Sequence, residues 1–243
     1  MRAATTLIAR AVPLVVLADA AWAQDISVSF GQGNGLTERV IQMIALVTVL
    51  SLAPSILVMV TSFTRIVVVL SLLRTALGAA TAPPNAVLIS LALFLSAFIM
   101  APAFQTAYDQ GLKPLMSNEI DPQQAFDRSS EPFRVFMLKN VREKDLKLFA
   151  DLSGQKPEKS EDLSLRVLVP AFMISELRRA FEIGFLLFLP FLIIDLVIAS
   201  VLMSMGMMML PPIVVSLPFK LIFFVLVDGW NLVAGSLVQS YGG

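Results

Sequence analysis

The stretch MSMGMMMLPP, Met203 to Pro212, decides the fold, because it breaks what is otherwise one long apolar run. Five of the chain's twelve methionines fall within seven residues here, just before a double proline. Three in a row, Met207 to Met209, cannot all face one side of a helix. Gly206 before them and Pro211-Pro212 after them predict a non-helical link. Irregular backbone at membrane depth is tolerated only where protein buries it or a water-filled cavity borders it. Methionine is unbranched and polarizable, so it packs around changing shapes. One reading of the cluster is ordinary apolar filler. The other is a deformable constriction beside a lumen, since hydrophobic constrictions can close a passage by dewetting.

Outward from the link the chain stays apolar. From Ile183 to Phe219 the only charge is Asp195, and Lys220 and Asp228 follow in the next segment. A charge at the centre of a spanning helix costs about 2.5 to 3.5 kcal/mol on insertion scales, so each needs a partner or water. With a turn centred near Met209, Asp195 and Lys220 come nearly level in two antiparallel helices at about 1.5 Å per residue. A structural ion pair that fixes register is the stronger reading, and a proton relay is the other. Glu176 is a second candidate partner for Lys220.

Toward the N-terminus, Val40 to Thr64 and Ala86 to Phe104 carry no charge, and each is long enough to cross a hydrocarbon core of about 30 Å. Pro54 is an expected kink. Between the spans, Arg65 and Arg74 bracket IVVVLSLL, and GAATAPPN (Gly78 to Asn85) breaks the chain. These two arginines are expected on the cytoplasmic side by the positive-inside rule. Residues 1–23 read as a cleavable signal, with Ala21-Trp22-Ala23 before a cleavage site at Gln24. Residues 24–39 are polar and Gly-rich, a flexible start to the mature chain.

Residues 105–182 differ in kind, holding 12 of 18 Lys+Arg and 13 of 18 Asp+Glu. This is an expected helical insertion, periplasmic if the N-terminus is outside. Asp121-Pro122 has the form of an N-cap followed by proline at the first helical position. Phe133, Phe136, Met137 and Val141 share a helical face. The expected architecture is therefore all-α: a first apolar hairpin over 40–104, the insertion over 105–182, and a second hairpin over 183–243 with the Met-rich turn.

Composition narrows the function. The chain has 243 residues, is 57% hydrophobic and has no net charge, which describes a membrane protein and argues against a nucleic-acid binder. It contains neither histidine nor cysteine. That removes His- and Cys-based catalysis, the usual zinc sites and disulfides. A carrier titrating Asp195 and Asp228 remains as an alternative, as does a scaffold without a lumen.

Four stretches carry a resemblance: TSFTRIVVVLSLLRTALG (Thr61 to Gly78), APPNAVLISLALFLSAFIMAP (Ala82 to Pro102), LPFLIIDLVIASVLMSMGMMMLPP (Leu189 to Pro212) and LPFKLIFFVLVDGWNLVAGSL (Leu217 to Leu237). In order and separation they resemble the FliP family of flagellar export-gate proteins, together with its virulence-secretion counterparts, SctR. The resemblance implies a non-enzymatic subunit, without cofactor or metal, of a type III protein export gate in the bacterial inner membrane. Several copies would assemble with FliQ and FliR into a helical ring, then meet FlhB and FlhA, and pass unfolded flagellar substrates. It also implies that Met207, Met208 and Met209 form a gasket. The gate would be raised toward the periplasm, so that Glu176, Asp195, Lys220 and Asp228 lie in contacts within and between subunits rather than in membrane lipid. The signal peptide and the length of the insertion favour the flagellar over the virulence branch.

Overall fold

The computed structural model describes residues 36–79, 81–154, 163–207 and 210–242. The signal-cleavage pair Ala23 and Gln24, and Met208 and Met209, lie outside the described residues. The chain divides into two units, Met1–Ser51 and Leu52–Gly243. Of the first, the described part is the start of one helix; the fold below is that of the second.

Every regular element among the described residues is helical. Helix α1 spans Leu36–Val60 and α2 spans Phe63–Ala76. Helix α3, Asn85–Ala107, runs on through a π-helical turn, Tyr108–Leu112, and a last α-turn, Lys113–Met116. Then follow α4 (Pro122–Asn140), α5 (Glu143–Leu152), α6 (Leu165–Ser204), α7 (Pro212–Leu226) and α8 (Gly229–Gly242). Among the described residues two unbroken rods are long and apolar enough to cross a membrane, Asn85–Met116 with 32 residues and Leu165–Ser204 with 40, and two bent helix pairs pass the same test jointly. At about 1.5 Å per residue α6 is roughly 60 Å long, about twice a hydrocarbon core. Its first half therefore projects beyond any bilayer that its second half spans.

The first apolar run predicts one span from Val40 to Thr64 with a kink at Pro54. Instead α1 continues through Pro54 and stops at Val60. The break is served by hydroxyls: Thr64 Oγ1 donates to the Val58 carbonyl at 3.3 Å, and the fully buried Ser62 donates to Ser96 Oγ of α3 at 3.1 Å. Beyond it, a 14-residue helix stands where a loop carrying two arginines is expected. Its residues Ile66, Val69, Leu70 and Leu73 are spaced for one helical face and are essentially inaccessible. They meet Ala92 and Leu95 of α3, Ala180 and Phe191 of α6, Phe224 of α7 and Leu237 of α8 in one apolar core. A second core lies in the charged region, where Met137, Leu146, Leu168, Ala171 and Phe172 pack with Phe136 and Val60.

At the charged insertion, α3 does not stop at Phe104 but extends to Met116. Asp121 caps α4, accepting from the Gln124 amide at 2.8 Å. On α4, Phe133 meets Phe104 edge-on at 5.4 Å, and Phe136 meets Phe172 at 5.9 Å. Helix α6 runs without interruption through Ile183, where the charged region gives way to the apolar run. The last apolar segment, expected as one helix, turns 63° between α7 and α8. The corner residue is Asp228, held in the left-handed region at φ 51°. Aspartate tolerates that conformation better than most residues.

Two glycines test the packing in opposite directions. A Cβ on Gly111, in the π-helical turn, would come within 1.9 Å of Ser129 Oγ and 2.8 Å of the Ala125 carbonyl of α4. At Gly235, within α8, nothing lies within 4 Å. Gly111→Ala is expected to lower stability in detergent by about 1–3 kcal/mol, the usual cost of overpacking. Gly235→Ala should raise it by about 0.5–1 kcal/mol through helix propensity alone. Thermal unfolding of the two variants beside the parent checks both signs.

Candidate functional site: the α6–α7 link and its buried charges

Helix α6 ends in a complete glycine cap. The Gly206 amide donates to the Met203 carbonyl at 3.1 Å and the Met207 amide to Leu202 at 3.0 Å, with Gly206 at φ +75°. This pair of bonds is the Schellman arrangement, which needs a left-handed residue and so favours glycine. Pro211 then precedes α7 and Pro212 occupies its first position, where a missing N–H costs nothing. The Leu210 amide returns to the Met207 carbonyl at 3.3 Å. Met203, Met205, Met207 and Leu210 all stand exposed, Met205 at 65%. The described part of the link thus has a hydrogen-bonded backbone and exposed thioether side chains at Met203, Met205 and Met207.

Behind the link, Asp195 and Lys220 meet. Lys220 Nζ lies 2.6 Å from Asp195 Oδ2 and donates also to the Ala76 carbonyl at 3.1 Å. Ser216 Oγ donates to Asp195 Oδ1 at 2.6 Å. The lysine is buried and the aspartate partly open. One ammonium therefore neutralises a carboxylate on α6 and satisfies a terminal carbonyl of α2, tying three helices. Phe191 packs on Phe223 and Phe224 at 6.2 and 6.3 Å.

Glu176 is not the partner of Lys220. It lies fully buried against Arg65, which donates from Nε to Oε2 at 2.9 Å and from Nη2 to Oε1 at 2.5 Å. Tyr241 of α8 also donates to Glu176 Oε2. The Arg65 guanidinium sits 3.7 Å from the centroid of the Tyr241 ring, and its Nη1 reaches Ser240 Oγ at 3.0 Å. Arg65 is thus an interior residue of the helical core. Arg74 lies in the last turn of α2 and ties the following turn, donating to Asn85 Oδ1 at 2.6 Å and the Pro83 carbonyl at 3.3 Å.

Asp228 joins neither cluster. Its carboxylate accepts from Asn231 Nδ2 at 3.0 Å at the start of α8, and its part is to turn the chain. A further cluster escaped the sequence reading. Asp145 of α5 accepts from Ser175 Oγ at 2.7 Å and from Arg142 Nε and Nη2 at 2.8 Å each. Burial alone would push the Asp145 carboxyl up. The hydrogen bonds of Ser175 and Arg142, with the charges of Arg142 and Arg178, outweigh it and hold the group below its ordinary value of 3.8. No group of three or more metal-ligating side chains occurs among the described residues.

The family model described as FliP family matches residues 46–237. The chain belongs to the FliP family. It is 60% identical to the flagellar biosynthetic protein FliP of Caulobacter vibrioides over 99% of its own length and 91% of that protein. It is 55% identical to the proteins of that name from Rhizobium meliloti, over 83% of the chain and 84% of the relative, and Bacillus subtilis, over 83% and 91%. Membership makes it a membrane component of the flagellar export apparatus and not an enzyme.

Two tests follow from the charges. Glu176→Gln breaks a fully buried pair and should cost about 3–5 kcal/mol, whereas Asp195→Asn, at a partly open site, should cost clearly less; denaturant titration in detergent measures both. For Asp145 the lowered folded-state value gives stability that is complete above the ordinary value of 3.8 and is lost as pH falls below it. Thermal midpoints of the Asp145→Asn variant should therefore fall less steeply than the parent's over that acid range.

Proposed function

We propose that the chain is a pore-forming subunit of the flagellar type III export gate, and that Met207, Met208 and Met209 form a compliant seal around the closed passage. The observation that carries the reading is the exposed, methionine-rich link held at the end of a long apolar rod. Met205 and Met207 contribute side chains that adapt to a neighbour's shape, and the capped end of α6 gives them a fixed root. Several copies, arranged helically with FliQ and FliR, would bring their links together around an axis. FlhB and FlhA would join this assembly, and unfolded flagellar proteins would be its cargo. A dry ring of thioethers stops ions by dewetting and yields when a polypeptide displaces it.

The apparatus would sit in the bacterial inner membrane, with the gate largely on the periplasmic side and the signal removed between Ala23 and Gln24. In such an assembly the exposed apolar faces of α3 and α6, including Phe94, Phe98, Phe185 and Leu186, cover one another or lipid. A carrier that titrates Asp195 and Asp228 is disfavoured by their separate engagements, Asp195 with Lys220 and Asp228 with Asn231.

Replacing Met207, Met208 and Met209 together with Ala in a strain lacking the native gene tests the seal. Ion leak through the inner membrane should rise markedly while the complex still assembles and motility persists at least in part. An assembled complex that stays ion-tight would overturn the seal.

A further inference from the structure

The buried pair Arg65–Glu176 has a third member that the gate reading does not use. Glu176 receives two N–H groups from Arg65, and a carboxylate has about four lone-pair sites, so this fully buried group has room for further donors. Among the described residues the further donor is the Tyr241 hydroxyl. The same ring lies under the guanidinium at 3.7 Å and stacks with Phe136 of α4 at 5.6 Å and 21°. Tyr241 therefore touches an anion through its hydroxyl, a cation through its face and an aromatic neighbour on another helix.

We infer that Tyr241 is the positioning residue of this joint: its hydroxyl completes the Glu176 shell and its ring covers Arg65, so that α2, α4, α6 and α8 meet in one arrangement. A filler role would make phenylalanine equivalent, since the shape hardly changes. The hydroxyl matters because an arginine fork can slide along a carboxylate, while a third donor on Oε2 leaves the two oxygens inequivalent and fixes which one takes Nε. Cation–π contact adds to this when desolvated. Through Phe136 the joint connects the charged, insertion part of the chain to α8, whose other end adjoins α7. This inference stands apart from the methionine seal, and neither depends on the other.

The chain has two tyrosines, and Tyr108 is exposed. Tyr108→Phe leaves Tyr241 as sole reporter in the purified full-length chain. Ultraviolet resonance Raman of its ring doublet should show a strong hydrogen-bond donor, and adding Glu176→Gln should shift it toward a weak one. A doublet typical of a tyrosine in water, unmoved by Glu176→Gln, would overturn the inference. In a strain lacking the native gene, Tyr241→Phe should reduce swimming and export of flagellar substrates where Tyr108→Phe does not, and should add nothing further to Glu176→Gln. A Tyr241→Phe chain equal to the parent in export and thermal midpoint would also overturn it. Should that variant fail to accumulate, the Raman comparison decides alone.

Discussion

A carboxylate and a guanidinium sealed in an apolar interior have one tolerable arrangement, and Arg65 and Glu176 adopt it. Each ion would suffer a desolvation penalty of several kcal/mol by itself, which mutual attraction offsets only if the geometry is good and the remaining polar atoms are satisfied. Both conditions hold here: the contact is two-pronged, and Tyr241 and Ser240 complete it. Arg65 lies in the first turn of α2 and Glu176 about midway along the first half of α6, so the pair fixes where a short helix lies against a long one. Met173 follows suit beside Thr64, and Gly184 admits Leu72. The apolar core around Ile66 and Leu70 then closes about an axis already set.

Polar joints recur along α6. Ser175 binds Asp145 of α5, Glu176 binds Arg65 of α2, and Asp195 binds Ser216 and Lys220 of α7. Among the described residues no buried side-chain nitrogen or oxygen lacks a partner. Apolar packing alone is permissive about rotation and sliding, since one leucine ridge resembles the next, whereas a hydrogen-bonded charge pair accepts one register. The joints stop before the end of the rod. Beyond Ser204 the contacts of the described residues of the link are backbone bonds of a glycine cap, and Met205 and Met207 stand exposed. A long helix ending in exposed methionines has the form that the proposed seal requires.

Much of this was legible in the residues. Gly206 and Pro211-Pro212 mark the end of α6 and the start of α7, because glycine and proline fix backbone conformation locally. The meeting of Asp195 with Lys220 followed from equal rise on either side of that break. Arg65 and Glu176 were not legible as a pair, being 111 residues apart with no local spacing to relate them; what the pattern offered was the cost of leaving either one alone in an apolar run. The break at Thr61-Ser62 was hidden because its stabilising contact, Ser62 with Ser96, is tertiary. The corner at Asp228 was hidden for a related reason: in the sequence, an aspartate in the left-handed region looks like any other charge in an apolar segment.

The central claim is that the α6–α7 link borders an aqueous conduit that it closes. The chain has no cysteine, so Met207→Cys places a single thiol at the link of each copy in the native complex. The account predicts that a small water-soluble, membrane-impermeant thiol reagent modifies it in assembled complexes, and that a substrate stalled in transit protects it. Modification by lipid-soluble reagents alone, or indifference to a stalled substrate, would place the link against acyl chains or away from the passage and contradict the account.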